Sequence, residues 1–195
     1  MNMKNRIFAV SDIHGRHTEL DMLIKEAGYD IFNDKLFLLG DYVDLNDCAA
    51  SRETLQYVMQ LAGNGAVALK GNNELKYLDI FDPGRTVSDF INSLPSIDTY
   101  QNYIFVHAGI RPGIPLDAQK EYDLLNIREE FYNYPAIAGK TVVFGHTPSY
   151  ILGADYGEIF VAEDKICIDT GAKHGFALSL VELNQRKVYK KLISE

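Results

Sequence analysis

Five short polar clusters in this sequence each follow an apolar run, and together they hold the residue types that bind divalent cations. Asp12-Ile13-His14 follows Ile7 to Val10, Gly40-Asp41-Tyr42-Val43-Asp44 follows Leu36 to Leu39, and Gly71-Asn72-Asn73-Glu74 follows Ala66 to Leu69. His107-Ala108-Gly109 follows Tyr103 to Val106, and Gly145-His146-Thr147-Pro148 follows Thr141 to Phe144. Asp12 and His14, two apart on an extended segment, point the same way and can hold one ion; Asp41 can bridge two, and Asn72, His107 and His146 can complete the second. Mixed oxygen and imidazole donors suit Mn, Fe or Zn better than Ca or Mg. Two such ions about 3.5–4 Å apart lower the pKa of a bound water to about 7, giving a hydroxide that attacks phosphorus in line. With Asp12, Asp41 and a bridging hydroxide, the site keeps about one net positive charge and attracts a phosphate dianion. Any one cluster alone is more often a turn with local hydrogen bonds. Five in succession, each after a buried run, make a shared site the better reading.

The elements that must position these clusters are legible in the same runs. Short, nearly continuous apolar stretches are the pattern of strands buried on both faces. Between them, Thr18 is expected to cap a helix to Ala27 with Leu20, Leu23, Ile24 and Ala27 on one face. Ser51 is expected to cap another, with Leu55, Val58, Met59 and Ala62 inward. The first third thus reads β-α-β-α-β, and in an open α/β sheet ligands bind at strand carboxyl ends. Gly40, Gly71 and Gly145 let the backbone turn there and approach a ligand. A helix is predicted from Asn72 to about Phe81, a break at Asp82-Pro83-Gly84, and a second helix around Val87 to Leu94. Ile159 to Ile168 and Phe176 to Leu192 read as hairpins turning at Glu163-Asp164 and Asn184-Gln185. The expected fold class is α/β, two packed mixed β-sheets flanked by helices, in a single domain over 1–195.

Composition narrows the partners. With 195 residues and 47% hydrophobic content the chain can bury a sizeable core. A formal net charge of -8 and a pI near 5.1 argue against nucleic-acid backbones or acidic lipid as ligands. Cys48 and Cys167 have neither metal-finger nor redox spacing. The apolar stretch after Lys4 and Arg6 is too short for a secretory core segment, and no span approaches membrane length, so a reducing cytoplasm is expected. No internal repeat or low-complexity tract is present, and oligomeric state is not encoded in any pattern we find.

Taken in this order over nearly the whole chain, the five segments resemble the calcineurin-like metallophosphoesterase superfamily. Three further stretches bring the likeness closest to the bacterial serine/threonine phosphoprotein phosphatases: Val106-His107-Ala108-Gly109-Ile110-Arg111-Pro112, Leu124 to Phe131, and Ile168-Asp169-Thr170-Gly171-Ala172. The resemblance implies a core of two β-sheets flanked by helices. It also implies two divalent ions, Mn first, on Asp12, His14, Asp41, Asn72, His107 and His146. Arg128 would contact the phosphate of a phosphoprotein or small phosphate ester. Two positions depart from the family pattern. Leu45 stands where an arginine grips phosphate, and Asn73 stands where a histidine protonates the leaving group; an amide donates a hydrogen bond but no proton. General acid catalysis is worth about 10²–10⁴-fold, so alkyl phosphates should suffer most and acidic leaving groups least. A phosphomonoesterase of the protein phosphatase type is the leading expectation, with Asp44 and Asn73 orienting substrate or leaving group. A phosphodiesterase or dinucleoside polyphosphate hydrolase is the alternative, and a degenerate phosphate-binding protein the third. Arg16, Arg111, Lys173, His17 and His174 are possible compensating groups; polar surroundings make the two histidines better surface residues, and Pro112 makes Arg111 as much a turn residue as a contact. Specificity is expected from the loops around Asp82 to Arg85 and Arg111 to Tyr134.

Overall fold

Residues 5–193 are described by a computed structural model. In chain order its elements are β1 (Ile7–Val10), α1 (His17–Ala27), β2 (Lys35–Leu38), α2 (Cys48–Gly63), β3 (Val67–Ala68), α3 (Asn72–Ile80), α4 (Arg85–Ser93), β4 (Ile97–Tyr100) and β5 (Tyr103–Val106). There follow α5 (Glu121–Asn126), α6 (Glu129–Tyr132), β6 (Thr141–Phe144), β7 (Phe160–Val161), β8 (Lys165–Cys167), β9 (Ala177–Glu182) and β10 (Lys187–Leu192). Two five-stranded mixed sheets result, in the orders β10-β9-β1-β2-β3 and β4-β5-β6-β8-β7. β1, β2 and β3 are parallel in the first, and β5, β6 and β8 in the second; the antiparallel strands lie outside these trios.

Alternate residues of the central strands explain why the runs are apolar throughout. Ile7, Ala9, Phe37 and Leu39 point one way and meet Phe105, Val143, Ile166 and Ile168 of the other sheet. Phe37 and Phe105 stack with ring centroids 3.7 Å apart. Phe8, Val10, Leu36 and Leu38 point the other way into a core with Leu20 and Leu23 of α1 and Leu55 and Val58 of α2. Ile104, Val106, Val142 and Phe144 likewise pack under Leu124, Ile127 and Phe131. The expected two-sheet architecture and both C-terminal hairpins are as observed. Among the described residues no helix is long and apolar enough to cross a membrane.

Both expected helix caps are corrected. α1 begins at His17 after Arg16, with no side-chain cap, so Thr18 lies within its first turn. α2 begins at Cys48, and Asp47, on extended backbone, accepts from Ala50 N at 2.9 Å. Ser51 sits one turn inside. Its hydroxyl accepts from Asp44 N at 2.8 Å and donates to Asp44 O at 2.7 Å, pinning the loop after β2 to the helix. The short apolar run at Ala66 to Leu69 contributes only two ladder residues. β4 was not anticipated: Ile97-Asp98-Thr99-Tyr100 is half-polar because it is an edge strand beside β5.

Candidate active site

Six parallel strands end on one edge of the two sheets, and each end supplies a polar side chain: Asp12, Asp41, Asn72, His107, His146 and Asp169. A cavity of about 590 Å³ opens there, lined by Asp12, His14, Asp41, Asn72 and His146 of the expected set. His107 stands directly behind, fully buried, with Nε2 3.0 Å from Asn72 Oδ1.

Asp12 and His14 are not on extended backbone as expected. Asp12 (φ 54°), His14 (φ 46°), Asp41 (φ 53°) and His146 (φ 64°) all lie in the left-handed region, where a side-chain-bearing residue costs on the order of 1 kcal/mol. The two loops hold each other there. Asp12 N donates to Gly40 O at 3.1 Å, His14 N to Asp41 O at 3.0 Å and Gly15 N to Tyr42 O at 2.8 Å. Strain of this kind, concentrated on the residues that could bind a ligand, is characteristic of functional sites. Gly145 adds a close approach: a Cβ there would sit 2.1 Å from Asp12 Oδ2, so no larger residue fits between β6 and β1.

The candidate ligands fall into two groups that share Asp41, and the first gathers closely enough to hold a cation. His14 Nε2 lies 3.7 Å from Asp12 Oδ1 and 3.8 Å from Asp41 Oδ2, and ligand atoms of these three residues gather within 4.8 Å. The other oxygen, Asp41 Oδ1, faces His107 Nε2 at 3.4 Å. His146 closes this second group, its ring 5.0 Å from that of His107. His14 Nδ1 meets Val43 O at 3.1 Å and His107 Nδ1 meets Leu39 O at 2.9 Å. Each carbonyl demands a proton on Nδ1, which leaves Nε2 as a lone-pair donor toward the site.

Electrostatics separate the two imidazoles. Burial, then His107 and Arg128, push the His146 pKa down to about 3, so its imidazole is neutral and free to coordinate. Burial opposes charge on His14, but Asp12 and Asp41 overcome it and raise its pKa to about 9, so near neutral pH Nε2 holds a proton that a cation would have to displace. Asp12 is held well below the carboxylate range by His14 and His107 despite burial. These buried carboxylates draw positive charge into the space between them. Beneath them Glu74, fully buried, accepts from Asp41 N, Tyr42 N and Gly71 N at 2.7–2.8 Å and more distantly from Val43 N. Burial and then Asp41 push its pKa up to about 7, against the pull of His107 and those donors.

The remaining expected residues divide. Arg128 lines the cavity and donates to Thr147 Oγ1 at 3.3 Å. Asn73 also lines it, buried, its Nδ2 without a partner. Asp44 does not reach Asn73 or an arginine: its side chain accepts from Asn46 N at 2.9 Å, forming a local turn. Leu45 packs against the α1 and α2 core. Arg111 pairs with Asp123 through two 2.7 Å bonds, and Arg16 faces Glu19, so neither enters the cavity. His17 lies by Tyr57 and Glu53, outside the cavity, whereas His174 and Lys173 are on its wall. Tyr122 and Asn126, from the Arg111 to Tyr134 stretch expected to set specificity, line the wall, and no residue of Asp82 to Arg85 does.

Lys76, Tyr150, Ile151 and Asp169 were missed as site residues. Asp169 carried the same signal as the other five clusters, a polar residue directly after the apolar run Ile166-Cys167-Ile168. It was noted only within the Ile168 to Ala172 resemblance and not as a site residue, because the run was read as one arm of a hairpin and its additional parallel pairing with β6 depends on a distant strand. Burial, then Asp12, raise its pKa well above the carboxylate range, and it accepts from Gly171 N at 3.0 Å.

Residues 5–180 match the calcineurin-like phosphoesterase family, and the chain belongs to it. A symmetrical bis(5'-nucleosyl)-tetraphosphatase of Aromatoleum aromaticum is 32% identical over 126 residues, 55% of this chain and 45% of that protein. The aligned region thus spans about half the length of the curated relatives it matches. Among solved structures, one provisionally assigned as a diadenosine tetraphosphatase superposes with a TM-score of 0.79 at 23% identity, covering 100% of this chain and 96% of the other. A serine/threonine phosphatase of Saccharomyces cerevisiae superposes at 0.67 with 14% identity, covering 100% and 81%. These two likenesses show the fold.

Proposed function

We propose that this chain hydrolyses phosphoanhydride bonds in nucleotides, dinucleoside polyphosphates by class, with Asp12, His14, Asp41, Asn72, His107 and His146 holding two divalent cations. Mn stands first for that donor set, with Fe or Zn next. The observation that carries the substrate class is a group of cations. Lys76, Arg128 and Lys173 line the cavity, and among the described residues none has a carboxylate partner. Elsewhere Arg6, Lys25, Lys70, Arg111, Lys165, Lys190 and Lys191 are paired, while Lys35, Arg52, Lys120, Lys140, Arg186 and Lys187 also lack a carboxylate partner among the described residues; what sets these three apart is that they share one cavity. On a chain of net charge -8, three uncompensated cations at one cavity suit a ligand with several negative phosphates.

When bound, the cations supply Lewis acidity and a water acidified toward neutrality. The chain's own groups do the rest. Arg128 binds a phosphate oxygen, and the unpartnered Asn73 amide offers it another donor. Asp44 holds the Asp41 loop through its turn rather than touching substrate. Asn73 supplies no proton, which matters little when the leaving group is itself a phosphate that departs as an anion. The names of the curated relatives agree with this class. The phosphoprotein reading is supported by likeness in fold to protein phosphatases and by the three stretches that resemble the bacterial phosphoprotein phosphatases.

The reading is tested by metal-supplemented hydrolysis of a dinucleoside tetraphosphate, an aryl diester, an aryl monoester and a phosphopeptide. We expect the dinucleotide to be cleaved at least about tenfold faster than the phosphopeptide, because the leaving group needs no acid. A reversed order returns the assignment to a protein phosphatase, and tight binding without turnover makes the chain a phosphate-binding protein.

An aromatic wall fits the nucleoside. Tyr150 lines the cavity and is braced by Tyr156 at 5.2 Å and Phe176 at 5.6 Å, beside the exposed Ile151 and Tyr122. Base stacking is worth about 1–3 kcal/mol. Tyr150→Ala should therefore raise KM for the dinucleotide by about 5- to 100-fold. Hydrolysis of inorganic tripolyphosphate, which has no base to stack, should stay within about twofold. Equal losses on both substrates would show the ring to be structural.

A further inference from the structure

The departures at Leu45 and Asn73 leave the site short of a cation and a proton donor, and α3 replaces one of them. Asn73 and Lys76 are three residues apart and share a helix face. Lys76 Nζ lies 3.5 Å from Asn73 Oδ1. That oxygen also accepts from Asn72 Nδ2 at 3.2 Å, and Asn73 N donates to Asp41 Oδ1 at 2.9 Å, so the amide is fixed against the candidate ligands. Lys76 lines the cavity, is exposed, and has no carboxylate partner among the described residues. Arg128 and Lys173 share the cavity, but only Lys76 is bonded to the residue that stands in the histidine's place.

Resting on the hydrolase reading above, we propose that Lys76 is a catalytic residue on the leaving-group side. In the step, a water oxygen forms a bond to phosphorus as the bond to the leaving oxygen breaks, and the electron pair stays on that oxygen. The ammonium donates a hydrogen bond to the charge that develops there and keeps its proton; the proton lost by water passes to solvent. A fixed positive charge thus does for an anionic leaving group what a proton does for a basic one.

A series of phosphate monoesters, from nitrophenyl through phenyl to alkyl, tests this with the metal-loaded full chain. Lys76→Met keeps the aliphatic stem and, at an exposed position, should leave the thermal midpoint unchanged. We expect kcat/KM to fall about 10-fold for the most acidic phenol and about 100-fold for the alkyl ester, so that its dependence on leaving-group pKa steepens. Lys76→Arg should keep most activity, and Asn73→His should restore Lys76→Met at least about tenfold. Tungstate, an oxyanion without a leaving group, should bind Lys76→Met within about threefold of the parent by calorimetry. A uniform loss across the series with weakened tungstate binding would make Lys76 a grip on nonbridging oxygens and overturn the proposal, as would no loss at all. Aryl esters hydrolysed with dinucleotides ignored would overturn the substrate reading while leaving the Lys76 test intact. No turnover of the esters or of a dinucleotide would overturn both, and if the dinucleotide alone is hydrolysed, an unchanged rate in Lys76→Met on that substrate would overturn the Lys76 proposal by itself.

Discussion

Asp41→Asn should cost at least about 10³-fold in kcat/KM while leaving the metal-free fold as stable as before or more so. The two halves of this expectation come from the same carboxylate. Asp41 Oδ2 faces His14 at 3.8 Å and Asp41 Oδ1 faces His107 at 3.4 Å, so one side chain belongs to both candidate cation positions. An amide has the same shape and can still accept from Asn73 N, which now reaches Oδ1 at 2.9 Å. It lacks the charge, and only one of its two terminal atoms can face a cation. The loss therefore falls on both ions at once, unlike a change at Asp12 or His146. Stability moves the other way, because Asp41 is among the charges that raise the pKa of both Glu74 and Asp169. Removing it relieves like-charge crowding in a buried space. Calorimetric melting with and without Mn, alongside metal analysis, reads both halves: the stabilisation that Mn gives the parent by mass action should shrink in the variant. Two ions still bound per chain, or more than about a tenth of the activity retained, would remove Asp41 from its bridging place.

Much of this site could be read before any coordinates because buried parallel strands advertise themselves. A strand covered on both faces has no polar alternation, so Ile7 to Val10, Thr141 to Phe144 and their partners stand out, and the polar residue that follows each run is the one that reaches the shared edge. What was not legible is whatever depends on distant pairing. The left-handed backbone of Asp12, His14 and Asp41 is imposed by hydrogen bonds between loops almost thirty positions apart, and no local preference announces it. Ser51 looked like a cap because its type suits one; Asp47 won by being extended at the right place, and Ser51 was taken by Asp44. Asp44 in turn was expected to orient substrate or leaving group on the strength of resemblance, yet Asn46 beside it offers a nearer donor. Lys76 was visible as a residue one helical turn from Asn73, but its meaning appears only when the cavity gathers Arg128 and Lys173 around the same space.

Glu74 is the most demanding position outside the candidate ligands, and Glu74→Gln should lower stability by about 2–5 kcal/mol. The side chain is fully buried and meets only donors. Oε2 accepts from Asp41 N and Gly71 N, both at 2.8 Å, and Oε1 accepts from Tyr42 N at 2.7 Å with Val43 N beyond it at 3.4 Å. Two oxygens serve four amides. Glutamine has one oxygen, so its NH₂ must oppose either Asp41 and Gly71 or Tyr42 and Val43. Each buried amide left without an acceptor costs about 1–3 kcal/mol, and removing the charge returns part of this by easing repulsion from Asp41. Cations on Asp41 would already ease that repulsion in the parent, so the variant's deficit should widen when Mn is added. For a chain of this length the deficit corresponds to a thermal midpoint lower by roughly 5–15 °C, read by melting in chelator and again in Mn. Activity should fall as well, because the amides that lose their acceptor hold the backbone presenting Asp41 and Asn72. A midpoint within about 2 °C of the parent would mean that the carboxylate is not what ties these two loops together.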